Sequence, residues 1–250
     1  MEFSTRVSFM SNKIVALIPA RGGSKTVPRK NIKTVRGHPL IAYSIAACNM
    51  CKGVSRTIVS TDSEEIAEIA KKYGAEVPFM RPKEFAGDLS PDKEFLNHFF
   101  DNIDVNEVAL MRPTTPLRSL FIMEDAIKIY FENKNELSSL RTVNKTSSTP
   151  YKLFKIKNNY CEDFFDDYNG IKNYNNLPRQ VFPQTYEANG HIDIIKQDRV
   201  RADHTFGNKI YAYICDEIID IDLQAHFDML KYAIDKDNIL LKHLNQRRDK

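Results

Sequence analysis

Ile14-Val15-Ala16-Leu17-Ile18-Pro19-Ala20-Arg21-Gly22-Gly23-Ser24-Lys25 joins two signals that decide the fold. Five consecutive apolar residues stopped by Pro19 read as a short strand buried on both faces, as in a parallel sheet covered by helices. A polar, glycine-containing loop follows, over residues 21–36, and includes Pro28-Arg29-Lys30-Asn31. In open α/β sheets, ligands sit beyond the carboxyl ends of the strands. Two glycines let backbone N–H groups come close to an anion. Arg21, Lys25, Arg29 and Lys30 would repel one another unless a polyanion spans them. A solvated basic loop is the plainer alternative, but the position directly after a buried strand favours phosphate. The spacings G-x-x-x-x-G-K-[ST] and G-x-G-x-x-G are both absent.

Outward from this loop, strand and helix signals alternate. Pro39 sits where a helix would start, and residues 40–50 carry apolar positions at helical spacing. Thr57-Ile58-Val59-Ser60 reads as a second strand. Asp62 is placed to cap the next helix with Glu65 as its reciprocal partner, and Gly74 stops it. Glu76-Val77-Pro78-Phe79 suggests a short strand. Ser90-Pro91 opens a helix to about Asp101, 107–111 is a strand, 120–131 a helix and 137–143 a strand. This rhythm predicts an α/β fold with a mostly parallel sheet and helices on both faces. Residues 145–185 break it with Asn, Tyr, Lys and Asp and little periodicity. A stretch that long is expected to be an inserted arm, lid or oligomerisation element. Strands return at 192–195, 210–215 and 218–221, and a final helix is expected over 223–235. The division is a short N-terminal extension, 1–12, and one domain, 13–250, with 145–185 as its insertion.

Bulk properties exclude several classes. Lys and Arg number 36 against 33 Asp and Glu, a net charge of +3, so no basic surplus invites nucleic acid. No apolar run reaches membrane-spanning length and no signal peptide is evident, which points to the cytoplasm. The four cysteines, Cys48, Cys51, Cys161 and Cys215, are too few for a disulfide framework. Cys48 and Cys51 close a helix rather than open one, which suits packed thiols better than a redox pair. The scattered histidines form no metal spacing.

Four further segments carry candidate chemistry. Leu110-Met111-Arg112-Pro113-Thr114-Thr115-Pro116-Leu117-Arg118 follows a strand, and its two prolines stiffen a loop bearing Arg112, Thr114 and Thr115. Asp220-Ile221-Asp222 would turn two carboxylates the same way on an extended backbone, toward a Mg²⁺ ion that neutralises a triphosphate. Arg81-Pro82-Lys83-Glu84-Phe85-Ala86-Gly87-Asp88-Leu89-Ser90 offers groups for a base and ribose, although capping alone would explain Ser90. Arg179-Gln180 and Tyr186-Glu187-Ala188-Asn189-Gly190 close the irregular arm, where Arg179 could grip a carboxylate bidentately.

In order and spacing these segments resemble the acylneuraminate cytidylyltransferases, also called CMP-sialic acid synthetases. The likeness runs from about Lys13 to the last helix, and the loop of residues 18–31 is its most distinctive part. The resemblance implies a Rossmann-like three-layer domain, a homodimer, and an arm that reaches the partner's sugar site. It implies transfer of CMP from CTP to the anomeric hydroxyl of a sialic-acid-like nonulosonic acid, for cell-surface polysaccharide biosynthesis, with an eight-carbon octulosonate or its 8-amino form as the alternative. By the same resemblance Arg21 and Lys30 hold phosphates, with Ala20, Gly22, Gly23, Ser24 and Lys25 beside them. Asn31, Arg81, Asp88 and Ser90 serve the nucleotide. Asp220 and Asp222 bind Mg²⁺. Arg112, Thr114, Thr115, Arg179, Gln180, Tyr186 and Asn189 face the sugar acid. Two departures fall on the expected sugar side: the family commonly has Gln at the place of Arg112 and an aromatic at that of Asp193. A nucleotide-binding regulator without catalysis is the reading from another class, and retention of Arg21, Lys30, Asp220 and Asp222 argues against it.

Overall fold

A computed structural model describes residues 13–248, so the extension expected over 1–12 lies outside the described residues. β1 (Ile14–Pro19) is the frame. Side chains alternate along a strand, and here Ile14, Ala16 and Ile18 enter one apolar core while Val15 and Leu17 enter another. The run is apolar at every position because both faces are covered.

The chain continues through a small antiparallel pair, β2 (Thr34–Val35) and β3 (His38–Pro39), then α1 (Leu40–Met50), β4 (Val54–Ser60), α2 (Glu64–Lys72), α3 (Asp92–Asn102), β5 (Glu107–Leu110), α4 (Leu120–Asn133) and β6 (Ser139–Thr146). A hairpin, β7 (Phe154–Lys157) and β8 (Tyr160–Asp163), precedes the long β9 (Thr185–Lys196), α5 (Gln197–Arg201), β10 (Ile210–Ile214), α6 (Gln224–Ala233) and α7 (Ile239–Arg248). The main sheet has the order β10-β6-β9-β5-β1-β4. β1 runs parallel to β4 and β5, and β10 to β6; β9 is antiparallel to both β5 and β6. The carboxyl ends of β1, β4, β5 and β6 therefore share one edge with the start of β9. The Arg21, Arg112 and Asn189 segments all emerge there.

The expected mostly parallel α/β sheet is present, with these differences in its parts. Ser63 caps α2 through Oγ to the Ile66 N–H; Asp62 instead accepts the Gly22 N–H at 2.8 Å. Residues 76–79 form only a bridge from Glu76 to Ile58, since Pro78 has no N–H to extend a ladder. Residues 218–221 form no strand and pair with none in the sheet. The insertion is not structureless: it carries the β7–β8 hairpin and tight 3-10 turns. A second C-terminal helix, α7, buries Leu240, Leu241 and Leu244 in the core that holds α1. Its sequence signal was Asn238 before an apolar run, and Asn238 Oδ1 accepts the Leu240 and Leu241 N–H groups. Cys48 and Cys51 are buried, and burial pushes the Cys48 thiol up to about 12.

Candidate functional site

The loop after β1 opens into a cleft of about 410 Å³, a size suited to a small ligand. Arg21, Gly23, Ser24, Lys30 and Asn31 line it from that loop. Arg81, Asp88, Ser90 and Asp92 line it from the segment before α3 and its first turn. Arg112 and Thr114 come from the loop after β5, and Asp222 from the segment before α6.

The walls are fixed to the sheet or to one another. Ala20 is buried, and its N–H bonds Ser60 O at 3.0 Å, carrying the β1–β4 pairing one residue past Pro19. Asn31 donates to Arg21 O at 2.9 Å and closes the loop on itself. Lys30 spans the cleft: its Nζ lies 2.8 Å from Ile221 O and 3.4 Å from Asp222 Oδ1. Arg81 is 5% exposed, donates to Ser60 Oγ and O, and lies over the Phe95 ring at 4.8 Å. Burial brings its pKa down to about 10. Arg81 thus supports the cleft floor as well as lining it. Ser90 does not cap α3. Its hydroxyl accepts the Gly87 N–H at 3.2 Å and donates to Glu84 O at 2.9 Å, shaping the loop of residues 83–90.

The loop after β5 is held from beneath by Arg118. Arg118 is 3% exposed. It donates to Arg112 O, Thr115 O, Gly190 O, His191 O and Ser44 Oγ. Thr115 is fully buried and gives its hydroxyl proton to Gly190 O at 3.1 Å, so it braces the loop rather than lining the cleft. Gly190 has φ of +67°, and a Cβ there would sit 3.0 Å from Thr115 Oγ1. Backbone conformation and space both call for glycine.

Charges in the cleft are matched within the chain. Arg21 pairs with Asp88 at 2.9 Å and Lys25 with the other Asp88 oxygen at 2.5 Å. Arg29 pairs with Glu65, Lys30 with Asp222, and Arg112 with Asp92. The Asp92 contact raises the Arg112 pKa against the opposing effect of burial. Asp62, Glu65 and Asp92 are not recognisable from sequence as partners of these groups, since each reads as an ordinary acid near a helix start.

The acidic segment keeps the expected alternation without being a strand. Ile221 is fully buried, with its N–H on Thr114 O at 2.8 Å, and Asp220 and Asp222 on either side are exposed. Asp222 also borders a second cleft of about 540 Å³, shared with Asp220, Glu187 and Asn189. Asn189 is itself tied down, donating to Cys215 Sγ and accepting from the His191 N–H. Arg179 and Gln180 line a separate hollow at the base of the arm and are not brought to either cleft within one chain. Tyr186 is 44% exposed on β9, opposite Lys145. Asp193, expected on the sugar side, is buried in the sheet at 1% exposure and paired with Arg141 at 3.1 Å. Neither cleft includes it.

The fold is that of a solved α/β structure, which superimposes on the chain. The CMP:2-keto-3-deoxy-manno-octonic acid synthetase complexed with CTP aligns with a TM-score of 0.68 at 14% identity, over 89% of this chain and 98% of that one. The chain belongs to the cytidylyltransferase family, whose model matches residues 15–239. An N-acylneuraminate cytidylyltransferase of Escherichia coli O18:K1:H7 is 34% identical over 88% of the chain, which spans 51% of that relative's length. A CMP-N,N'-diacetyllegionaminic acid synthase of Legionella pneumophila is 30% identical over 84% of the chain and 91% of its own length.

Proposed function

We propose that the chain transfers CMP from CTP to the anomeric hydroxyl of a sialic-acid-like nonulosonic acid and releases pyrophosphate, providing an activated sugar for cell-surface polysaccharide. The observation that carries this reading is one cleft, at the carboxyl edge of the sheet, that gathers Arg21, Lys30, Arg112 and Asp222. Family membership and the names of the full-length relatives support the reaction class.

Arg21 and Lys30 hold the phosphates, while Asn31 and the loop of residues 83–90 flank the nucleoside. Arg112, with side-chain area still open to the cleft, faces the acceptor's carboxylate. Asp220 and Asp222 fit a magnesium ion: both are exposed oxygen donors on the same side of buried Ile221, the oxygen-only and incomplete set that Mg²⁺ shares with substrate phosphates. Bound there, the ion supplies neutralisation of the triphosphate. The acceptor hydroxyl oxygen forms a bond to the α-phosphorus and its proton leaves to water. The α–β bridging bond breaks, and pyrophosphate departs with the electron pair. Positioning and charge neutralisation by the residues above carry most of the acceleration.

The arm supports a homodimer in this reading. Leu153, Phe154, Ile156 and Tyr160 are exposed on or beside its hairpin, and Arg179 and Gln180 lie away from their own chain's cleft. A second copy would cover the first group and receive the second. The test is pyrophosphate release from CTP and Mg²⁺ with a panel of nine-carbon and eight-carbon sugar acids. Release with a nine-carbon acid is expected; release confined to eight-carbon acids would move the acceptor, and CTP binding without release from any acid would leave a regulator.

A further inference from the structure

The segment of residues 83–92 places a carboxylate on two groups of cations at the cleft. Asp88 bridges Arg21 and Lys25, and Asp92 holds Arg112. Gly87 O accepts a further bond from Arg21 at 2.7 Å. Lys25, with Arg21 adding, holds the Asp88 carboxyl below its ordinary value, so it is an anion. The base of this segment is anchored by buried Arg81 and by the Phe85 ring beside His98. Its tip stands in solvent apart from these cation contacts: Leu89 is 97% exposed and the Asp88 side chain one-third exposed. The internal Ser90 bonds keep the loop's shape whether or not the tip touches Arg21.

We propose that Asp88 is an internal stand-in for the β- and γ-phosphates, a residue that occupies Arg21 and Lys25 until a triphosphate displaces it and that thereby sets nucleotide affinity. This rests on the reading of the cleft as a nucleotide site. The physical case is one of competition. Two cations already bonded to a carboxylate must surrender those bonds before they can take phosphate oxygens, so the free site is only fractionally competent and apparent affinity falls by that fraction. A triphosphate wins because it brings several negative charges and more acceptor oxygens than one carboxylate. Without the stand-in, Arg21 and Lys25 would face each other uncompensated, so Asp88 also lets the empty loop exist. After transfer, its return to the same cations favours departure of pyrophosphate. The alternative, that Asp88 merely orients Arg21 and Lys25 for phosphate, predicts an effect of opposite sign on removing its charge.

The experiment is calorimetric titration of the full chain and of Asp88→Asn with inorganic tripolyphosphate, CTP, ATP and cytidine in Mg²⁺ buffer. Tripolyphosphate and CTP should bind Asp88→Asn roughly two- to tenfold more tightly, the scale of two partly exposed ion pairs. That gain should shrink with added salt, and cytidine affinity should not change. Equal or weaker tripolyphosphate binding by the variant would overturn the proposal, as would a failure of both proteins to bind it. A wild-type chain that binds tripolyphosphate but does not prefer CTP over ATP would sink the cytidylyl reading alone. The Asp88 comparison would still be decided by the inorganic ligand.

Discussion

The cleft and the arm are built on opposite plans. The walls of the cleft are tied to the sheet or to one another by bonds between residues far apart in sequence: Lys30 to Ile221, Arg81 to Ser60, Arg118 to Gly190 and His191. The arm is held by itself. Tyr151 stacks on Phe182 at 5.0 Å, meets Tyr168 edge-on at 4.8 Å and leans on Phe165 at 5.1 Å. The Tyr174 hydroxyl donates to Phe165 O and accepts its N–H. Its joints to the sheet lie at the base, where Arg179 and Gln184 donate to Thr146 O and Thr185 to Ser148 O. A region fixed by the core can hold side chains at the precision that chemistry needs. A region fixed by its own aromatic cluster can open or re-dock as a unit.

The sharpest consequence concerns a side chain that the cleft presents without depending on it. Asp222 is largely exposed, and Lys30 keeps Ile221 O as a partner without it. Asp222→Ala should therefore lower pyrophosphate release by about 1000-fold, equivalent to about 4 kcal/mol of transition-state stabilisation. Its effect on folding stability should stay within about 0.5 kcal/mol. The assay is initial rate at saturating Mg²⁺ beside a thermal melt. Near-normal turnover would remove Asp222 from the site, and a large fall in melting temperature would mean that the cleft relies on it structurally.

This difference between regions also explains what the sequence made legible. The cleft's elements were readable because burial on both faces writes a continuous apolar run at β1, and because rigid loops after strands have to carry Gly or Pro. The alternation that aligns Asp220 and Asp222 was readable too, since it needs only an extended backbone around an apolar Ile221. Partner choice was not. Asp62 looked like a cap and serves Gly22; Ser90 looked like a cap and ties its own loop. A carboxylate's local role and its tertiary role demand the same residue type, and sequence distance hides the second. The four cations of the first loop were read as awaiting a polyanion, and in the fold each has a carboxylate of the chain itself. The arm was opaque for the converse reason: its aromatic cluster joins residues 151, 165, 168 and 182 through turns, without the period of a helix or strand.

The next experiment tests the arm's independence. Tyr151→Ala removes the ring at the centre of the cluster, at a cost of about 3 kcal/mol to the arm. Hydrogen exchange should show lost protection across residues 150–182, while amides of β1, β5 and α1 keep theirs. Protection lost equally in the sheet would show that arm and core unfold as one unit, and the contrast between the two regions would fail.

The smallest of these effects probes the joint between cleft and core. His191 is 2% exposed, and its Nε2 accepts the Ser119 N–H at 2.9 Å, which requires an unprotonated nitrogen. Burial, with the neighbouring Arg118 charge, lowers its pKa to about 3. A folded value below the unfolded one means the stabilisation is full above the unfolded pKa and is lost as pH falls toward the folded value, because the unfolded chain takes up the proton first. From neutral pH to pH 5 the loss from this one group should be about 2 kcal/mol. His191→Gln keeps an acceptor for Ser119 and cannot titrate, so its stability should fall less steeply over the same range. The smaller contributions of His98 and His243, which burial also lowers, remain in both proteins and cancel in the comparison. Denaturant midpoints measured at half-unit pH steps decide it: curves that stay parallel would place His191's proton elsewhere, and the loop bearing Arg112 would then owe its position to Arg118 without help from a neutral imidazole.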